Sequence, residues 1–237
     1  MSAISLIHII AGTLAFIAGV AALVALKGQR RHRQAGRIFC ASLLATALAG
    51  SAMALLRMQA ITALAGLLTT YLIVTGWQTV TVSDPRKRIT PPLATAGAIL
   101  TAVALLVIAA VAMKTTDGHF QGFAAGDYLF LATIAALAAG GDVCWLASQG
   151  YTDHQRIARH LWRLCTGMFF ATGSLFNGPG AHVFPEIVRD SGILVLPELL
   201  VLMTMIFWLW RLRRQHVAVR VLRNSSQSHE TRAASSS

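Results

Sequence analysis

The sequence predicts an all-α, polytopic membrane bundle of seven transmembrane helices, with the N-terminus outside and the C-terminus in the cytoplasm. Three observations predict it. Of 237 residues, 55% are hydrophobic and only 12% are charged, about half the charged fraction of a soluble domain. The apolar residues gather into seven runs near the length of about 20 residues that a spanning helix needs. The basic residues fall almost wholly between alternate runs. This composition excludes a soluble enzyme and a disordered chain. A net charge of +11 in a soluble protein points to nucleic acid. Here the distribution of the charge is a membrane-topology signal, and no nucleic-acid partner is expected.

The first run, residues 4–26, has no basic residue before it and carries its positive charges after it. It therefore reads as a helix inserted with its N-terminus outside, not as a cleaved signal peptide. The remaining runs are residues 38–56, 61–82, 92–113, 128–148, 161–178 and 193–212. Each is continuously apolar and none alternates, so a helix that satisfies its own backbone hydrogen bonds is the spanning solution. Barrel strands would need alternating segments of about ten residues. Residues 1–214 thus form the transmembrane domain and residues 215–237 a basic, then Ser-rich, cytoplasmic tail. Its first part, with Arg220 and Arg223 among valines, can extend the last helix along anionic headgroups. Its serine-rich end reads as disordered.

Orientation follows from the lysines and arginines. Lys27, Arg30, Arg31, Arg33 and Arg37 follow the first run, and Arg86, Lys87 and Arg88 follow the third. Arg156, Arg159 and Arg163 lead into the sixth run, and Arg211, Arg213, Arg214, Arg220, Arg223 and Arg232 close the chain. These make seventeen on one side, against Arg57, Lys114 and Arg189 on the other. The richer side is assigned to the cytoplasm. Trp77, Trp145, Trp162, Trp208 and Trp210 lie toward the inner ends of their runs, where interfacial anchoring explains them. The expected partner is the lipid bilayer itself, with anionic headgroups at the cytoplasmic loops and tail.

Ionisable groups within hydrocarbon are expensive and face the bundle interior. Three stand out. His8 lies about 6 Å into the first run and shares a stripe with Gly12, Ala15, Gly19 and Ala22, so it faces protein. Glu198 lies about 7 to 8 Å into the last run, directly after Pro197, which frees a carbonyl one turn back. Asp142 lies about 9 Å from the cytoplasmic end of the fifth run, on a face with Ala135, Ala138 and Ala139. A buried carboxylate pairs, and Arg33, Arg37, Arg159 and Arg163 are its candidate partners. Two groupings result. His8, Asn177 and Glu198 form a candidate interior polar site, and His8 pairs with Glu198 if the first and last helices are neighbours. His32, Arg33, Arg37, Asp142, Arg159 and His160 form a candidate cytoplasmic-side cluster.

Cys40, Cys144 and Cys165 are odd in number, scattered and apolar in setting, which is no disulfide framework. The histidines and cysteines near the cytoplasmic face lack metal-ligand spacing such as C-x-x-C or H-x-x-x-H, so no metal site is assigned. Bis-histidine haem ligation needs two histidines at matching depth; His8 with His182, or His32 with His160, are the available pairs. Lys27, Lys87 and Lys114 all fall in loops, which excludes a Schiff-base lysine in a late helix. No nucleotide-binding loop is present.

Several stretches resemble an uncharacterised family of predicted bacterial multi-span inner-membrane proteins. They are Ile7-His8-Ile9-Ile10-Ala11-Gly12 in the first run and His32-Arg33-Gln34-Ala35-Gly36-Arg37-Ile38-Phe39, of the form HRxxGRxF. Gly141-Asp142, the run Arg156-Ile157-Ala158-Arg159-His160-Leu161-Trp162-Arg163, Gly173-Ser174, Phe184-Pro185 and Trp208-Leu209-Trp210-Arg211 match as well. The likeness spans nearly all of residues 4–214. It implies topology and location and supplies no activity or cofactor. The functional expectation is an integral membrane protein that binds or passes a small solute or proton through an interior polar site. The alternatives are a haem b-binding redox protein, a bilayer-embedded metal hydrolase, and a non-catalytic assembly or accessory protein.

Overall fold

In the computed structural model of the chain, residues 2–82, 91–147 and 152–214 are described. The basic loop holding Arg86, Lys87 and Arg88, and the tail from residue 215 onward, lie outside the described residues. The long helices are α1 (Ala3–Val24), α2 (Arg30–Leu56), α3 (Ala60–Thr81), α4 (Pro91–Ala112), α5 (Ala125–Ala147) and α6 (Asp153–Phe176). A 3-10 turn (Pro179–Val183) and the short α7 (Glu186–Asp190) lead to the last long helix, α8 (Ile193–Arg214). Among the described residues six helices, α1 to α5 and α8, are long and apolar enough to cross a membrane. The chain is therefore a helical bundle of multi-pass membrane character. By length α6 matches them, at 24 residues. By composition it does not, because its first half carries Arg156, Arg159, His160 and Arg163.

Two helices begin well before their apolar runs. α2 starts at Arg30 and α6 at Asp153, each about two turns ahead of the expected edge. Hydropathy trims charged ends, whereas long basic side chains carry their methylene stems along a helix and keep the charge at its rim. At α6 a capping box fixes the start. The Thr152 side chain accepts from the Gln155 amide, and the Gln155 side chain returns to the Thr152 N–H. At the end of α1, the orphan carbonyls are taken by side chains of the basic loop. Lys27 Nζ donates to Ala22 O at 3.3 Å, and His32 Nδ1 donates to the same oxygen at 3.0 Å.

The helices pack in chain order, α1 on α2, α2 on α3 and α4 on α5, with α6 laid back on α3. One buried cluster joins α3, α4 and α5 through Leu68, Leu72, Leu105, Leu131 and Tyr128. A second joins α1, α2, α3, α6 and α8 through Ala15, Ala18, Phe39, Leu43, Ile73, Met168 and Val201. α3 contributes to both and sits centrally. Glycines set the closest approaches: a Cβ on Gly76 would lie 2.9 Å from Arg163 Cβ, and one on Gly167 would lie 2.7 Å from Ile73 Cδ1. α3 and α6 therefore meet nearly backbone to backbone.

One element departs from a purely helical expectation. His119–Phe120 and Phe123–Ala124 pair as a two-stranded antiparallel hairpin between α4 and α5. Its turn is Gln121-Gly122, both at positive φ, 51° and 82°, the left-handed pair that tight hairpins favour. Gln121 then serves as a clamp. Its Oε1 accepts from Ala60 N at 2.9 Å and its Nε2 donates to Met58 O at 2.8 Å, capping α3 from another loop.

Candidate functional site

The polar face of α6 is read turn by turn by its neighbours. Arg156, His160 and Arg163 recur at helical spacing toward α3. Arg156 Nε donates to Thr79 O at 3.2 Å, and His160 Nδ1 donates to Gly76 O at 3.1 Å. Arg163 Nη1 donates to the Thr75 hydroxyl. Arg159 and Arg163, one turn apart, also reach α5. Arg159 Nη2 lies 2.7 Å and Arg163 Nη2 2.8 Å from Asp142 Oδ1. The other carboxylate oxygen, Oδ2, accepts from the Tyr71 hydroxyl. Arg163 Nη2 also lies 2.9 Å from Ala138 O and 3.2 Å from the Tyr71 oxygen. The Arg163 side chain is 1% exposed, which makes it a fully buried guanidinium among three helices. Its Cζ stands 5.0 Å from the Tyr71 ring centre and 5.5 Å from that of Trp162.

A buried charge is tolerated only when paired and hydrogen-bonded. The sequence around Arg163 provides for that. Gly76 removes the side chain that would hold α6 away from α3, and Thr75 supplies a hydroxyl. Ala138 exposes a carbonyl on α5, and Asp142, one turn on, supplies the counter-charge. Asp142 lies five residues before the end of α5, about 7 to 8 Å along the axis, and Tyr71 lies about 15 Å from the end of α3. On its far side the cluster meets Leu68, Leu72, Leu105 and Leu131, an apolar plug.

At the other end of α6, the C-cap residue Asn177 donates from Nδ2 to Glu198 Oε2 at 2.8 Å. Glu198 lies against Gly173, where a Cβ would come within 2.9 Å of Oε1. The expected outer grouping is thus half assembled: Asn177 and Glu198 meet, and His8 does not join them. His8 turns to α2 instead, donating from Nδ1 to Thr46 O at 2.9 Å. Its ring fills the space left by Gly50, where a Cβ would lie 3.0 Å from the imidazole. A missing side chain on α2 gives the ring a slot that α8 does not offer.

The inner grouping also divides. Asp142 and Arg159 meet, and Arg163 joins them as the most deeply buried member. His160 binds the α3 backbone and His32 the α1 backbone. Arg33 and Arg37 are exposed on α2, and among the described residues neither pairs with Asp142. Lys27 caps α1 with its ammonium 4.9 Å from the Trp208 ring, and burial pulls its pKa below the usual lysine value. Sequence reasoning missed Tyr71 and Thr75. Tyr71 left one signal, a hydroxyl halfway along an apolar run, where a partner is needed.

The histidines considered for haem all use Nδ1. His8, His32 and His160 donate it to backbone carbonyls, and His182 accepts there from Arg189 Nη1 at 3.1 Å. Nε2 is therefore the nitrogen each would offer to an iron. Among the described residues no three His, Cys, Asp or Glu side chains gather closely enough to hold a metal ion. Cys40 and Cys165 are buried and Cys144 is exposed. Comparison with protein-family models, curated proteins and solved structures finds no match.

Proposed function

We propose that the chain is a seven-span protein of the bacterial inner membrane, N-terminus outside, that binds or passes a small polar solute or a proton through two half-sites at opposite ends of α6. The seventh span is α6 itself. Arg159 and Arg163, the charges within its body, are turned inward onto Asp142, so they do not face lipid, and their cost is lower than composition alone suggests. The single observation that carries the reading is that, among the described residues, α6 alone touches both polar groups. It holds Asp142 through Arg159 and Arg163, and Glu198 through Asn177. Arg163 and Asn177 are about 21 Å apart along the helix. Between them lie Gly167, Met168 and apolar neighbours, so the described arrangement is a sealed one. Passage then requires α6 to shift against α3 or α8, and a shift against α3 breaks the bonds that Arg156, His160 and Arg163 make to it. The basic loops and the tail rest on anionic headgroups in this reading, and the likeness to predicted inner-membrane proteins is part of the same proposal.

The test is proton movement into pyranine-loaded proteoliposomes under an imposed pH gradient. Protein-containing vesicles are expected to dissipate the gradient faster than protein-free ones, and Glu198→Gln is expected to remove the difference. Equal rates with and without the protein would end the proton form of the proposal. A reporter at the C-terminus, expected in the cytoplasm, checks the orientation.

A further inference from the structure

The segment between α6 and α8 carries two of the most exposed large apolar side chains of the described residues, Val183 at 86% and Ile187 at 81%. It is not a loose loop. Its ends are the outer ends of two long helices, and its body is fastened to the bundle. Phe184 stacks on Phe176 of α6 at 5.7 Å between ring centres, and within the segment Arg189 holds His182 at 3.1 Å. Several of its backbone amides are met by carbonyls of the segment or of α6. Gly178 N donates to Gly173 O at 2.8 Å, Ala181 N to Gly178 O at 3.0 Å, and Phe184 N to Ala181 O at 3.0 Å. Val188 N donates to Pro185 O at 3.0 Å and Arg189 N to the same oxygen at 3.1 Å. A segment so satisfied can leave water at little cost, which an ordinary loop cannot.

The faces of α7 are sorted. At about 100° per residue, Val188 and Arg189 turn to the bundle, where both are half-buried. Glu186 and Asp190 share one outward flank, and Ile187 takes the other. Beyond Gly192, which turns the chain at φ 72°, exposed apolar residues resume at Ile193, Val195 and Leu196 and lead into the lipid-facing side of α8. We infer that residues 179–190 form an interfacial element lying in the outer headgroup layer. Val183 and Ile187 enter the acyl chains, and Glu186 and Asp190 remain in water. The occupant of this surface is the lipid of the protein's own membrane. The inference rests on the reading that α6 and α8 cross the bilayer.

Spin labels on the full chain in liposomes test it, in a Cys144→Ser background, since Cys40 and Cys165 are buried. Labels are placed singly through Val183→Cys, Ile187→Cys, Glu186→Cys and Leu200→Cys, all exposed positions. Oxygen, which concentrates in lipid, is expected to relax the labels at 183 and 187 more than a water-soluble nickel chelate does, with the order reversed at 186. If 183 and 187 follow the chelate while 200 follows oxygen, the interfacial element is refuted and the spanning helix stands. If 200 also follows the chelate, the spanning reading fails and takes this inference with it.

Discussion

Neutralising Asp142 tests the centre of the bundle most directly. Asp142→Asn keeps the shape of the side chain and removes the charge that Arg159 and Arg163 share at 2.7 and 2.8 Å. Arg163 cannot turn to solvent, because it is buried on all sides by α3, α5 and α6. Breaking a buried pair from one side costs about 3–5 kcal/mol. At about 2–4 °C per kcal/mol for a chain of this size, that lowers the melting temperature by about 6–20 °C. In a Cys144→Ser background, Cys40 and Cys165 supply the assay, since both are buried and a thiol-reactive dye reaches them only as the bundle opens. The second half of the experiment removes the two most deeply buried charges of the three. Asp142→Leu with Arg163→Met is expected to be more stable than Asp142→Asn, because it leaves only the partly exposed Arg159 without its carboxylate, whereas Asp142→Asn also strands the fully buried Arg163. A melting temperature for Asp142→Asn within about 2 °C of the wild type, a loss of less than about 1 kcal/mol, would refute the claim that this carboxylate holds the three helices together. A double variant less stable than both singles would show that shape, and not charge balance, is what the site requires.

Three further outcomes are expected. Gly66→Ala places a Cβ 2.9 Å from the backbone oxygen of Ala47 and should destabilise by about 1–3 kcal/mol. Gly97→Ala meets nothing within 4 Å and should stabilise by about 0.5–1 kcal/mol, so thermal melts of the pair should move in opposite directions. Gln121→Ala removes both bonds of the hairpin clamp, each worth about 0.5–1.5 kcal/mol, and should speed hydrogen exchange at the Ala60 amide while leaving that of mid-α3 amides unchanged. Asp117 accepts from the His119 backbone, which holds its carboxyl below the usual carboxylate range. Its contribution to hairpin order is therefore present above the ordinary carboxylate pKa and fades as pH falls through the lowered one; Asp117→Asn should abolish that acid-side loss of His119 amide protection.

The membrane class and most helix cores were legible because hydropathy, length and charge placement are local quantities. The Asp142 pair was legible in part for a different reason. A carboxylate deep in an apolar run must find a cation, and few cations lie at its depth. That argument named Arg159 and Arg163, and it equally named Arg33 and Arg37, since depth alone does not say which loop faces α5. The same limit left the partner of His8 open. Its depth matched Glu198, but its partner was decided by Gly50 and Thr46 on α2, an adjacency that emerges only when the helices pack. Tyr71 and Thr75 were invisible as site residues because a lone hydroxyl in an apolar run can return its hydrogen bond to its own helix, as Thr79 does to Thr75 O.

Helix α6 carries the wider lesson. Its composition falls short of a membrane span, and it carries a fully buried guanidinium, Arg163, 1% exposed. Both facts have one cause. Hydropathy scores a side chain against water and oil as separate solvents, whereas Arg163 is in neither: it is solvated by Asp142, Tyr71, Thr75 and the Ala138 carbonyl. The cost of each α6 charge is set by what α3 and α5 present at that depth, so the polar half of α6 and its receiving surface are specified jointly. A substitution on either side is then read through the other. Thr75→Val leaves α6 unchanged in sequence yet strips Arg163 of a bond, and Gly76→Leu leaves every charge in place yet pushes Arg163 out of reach of all of them.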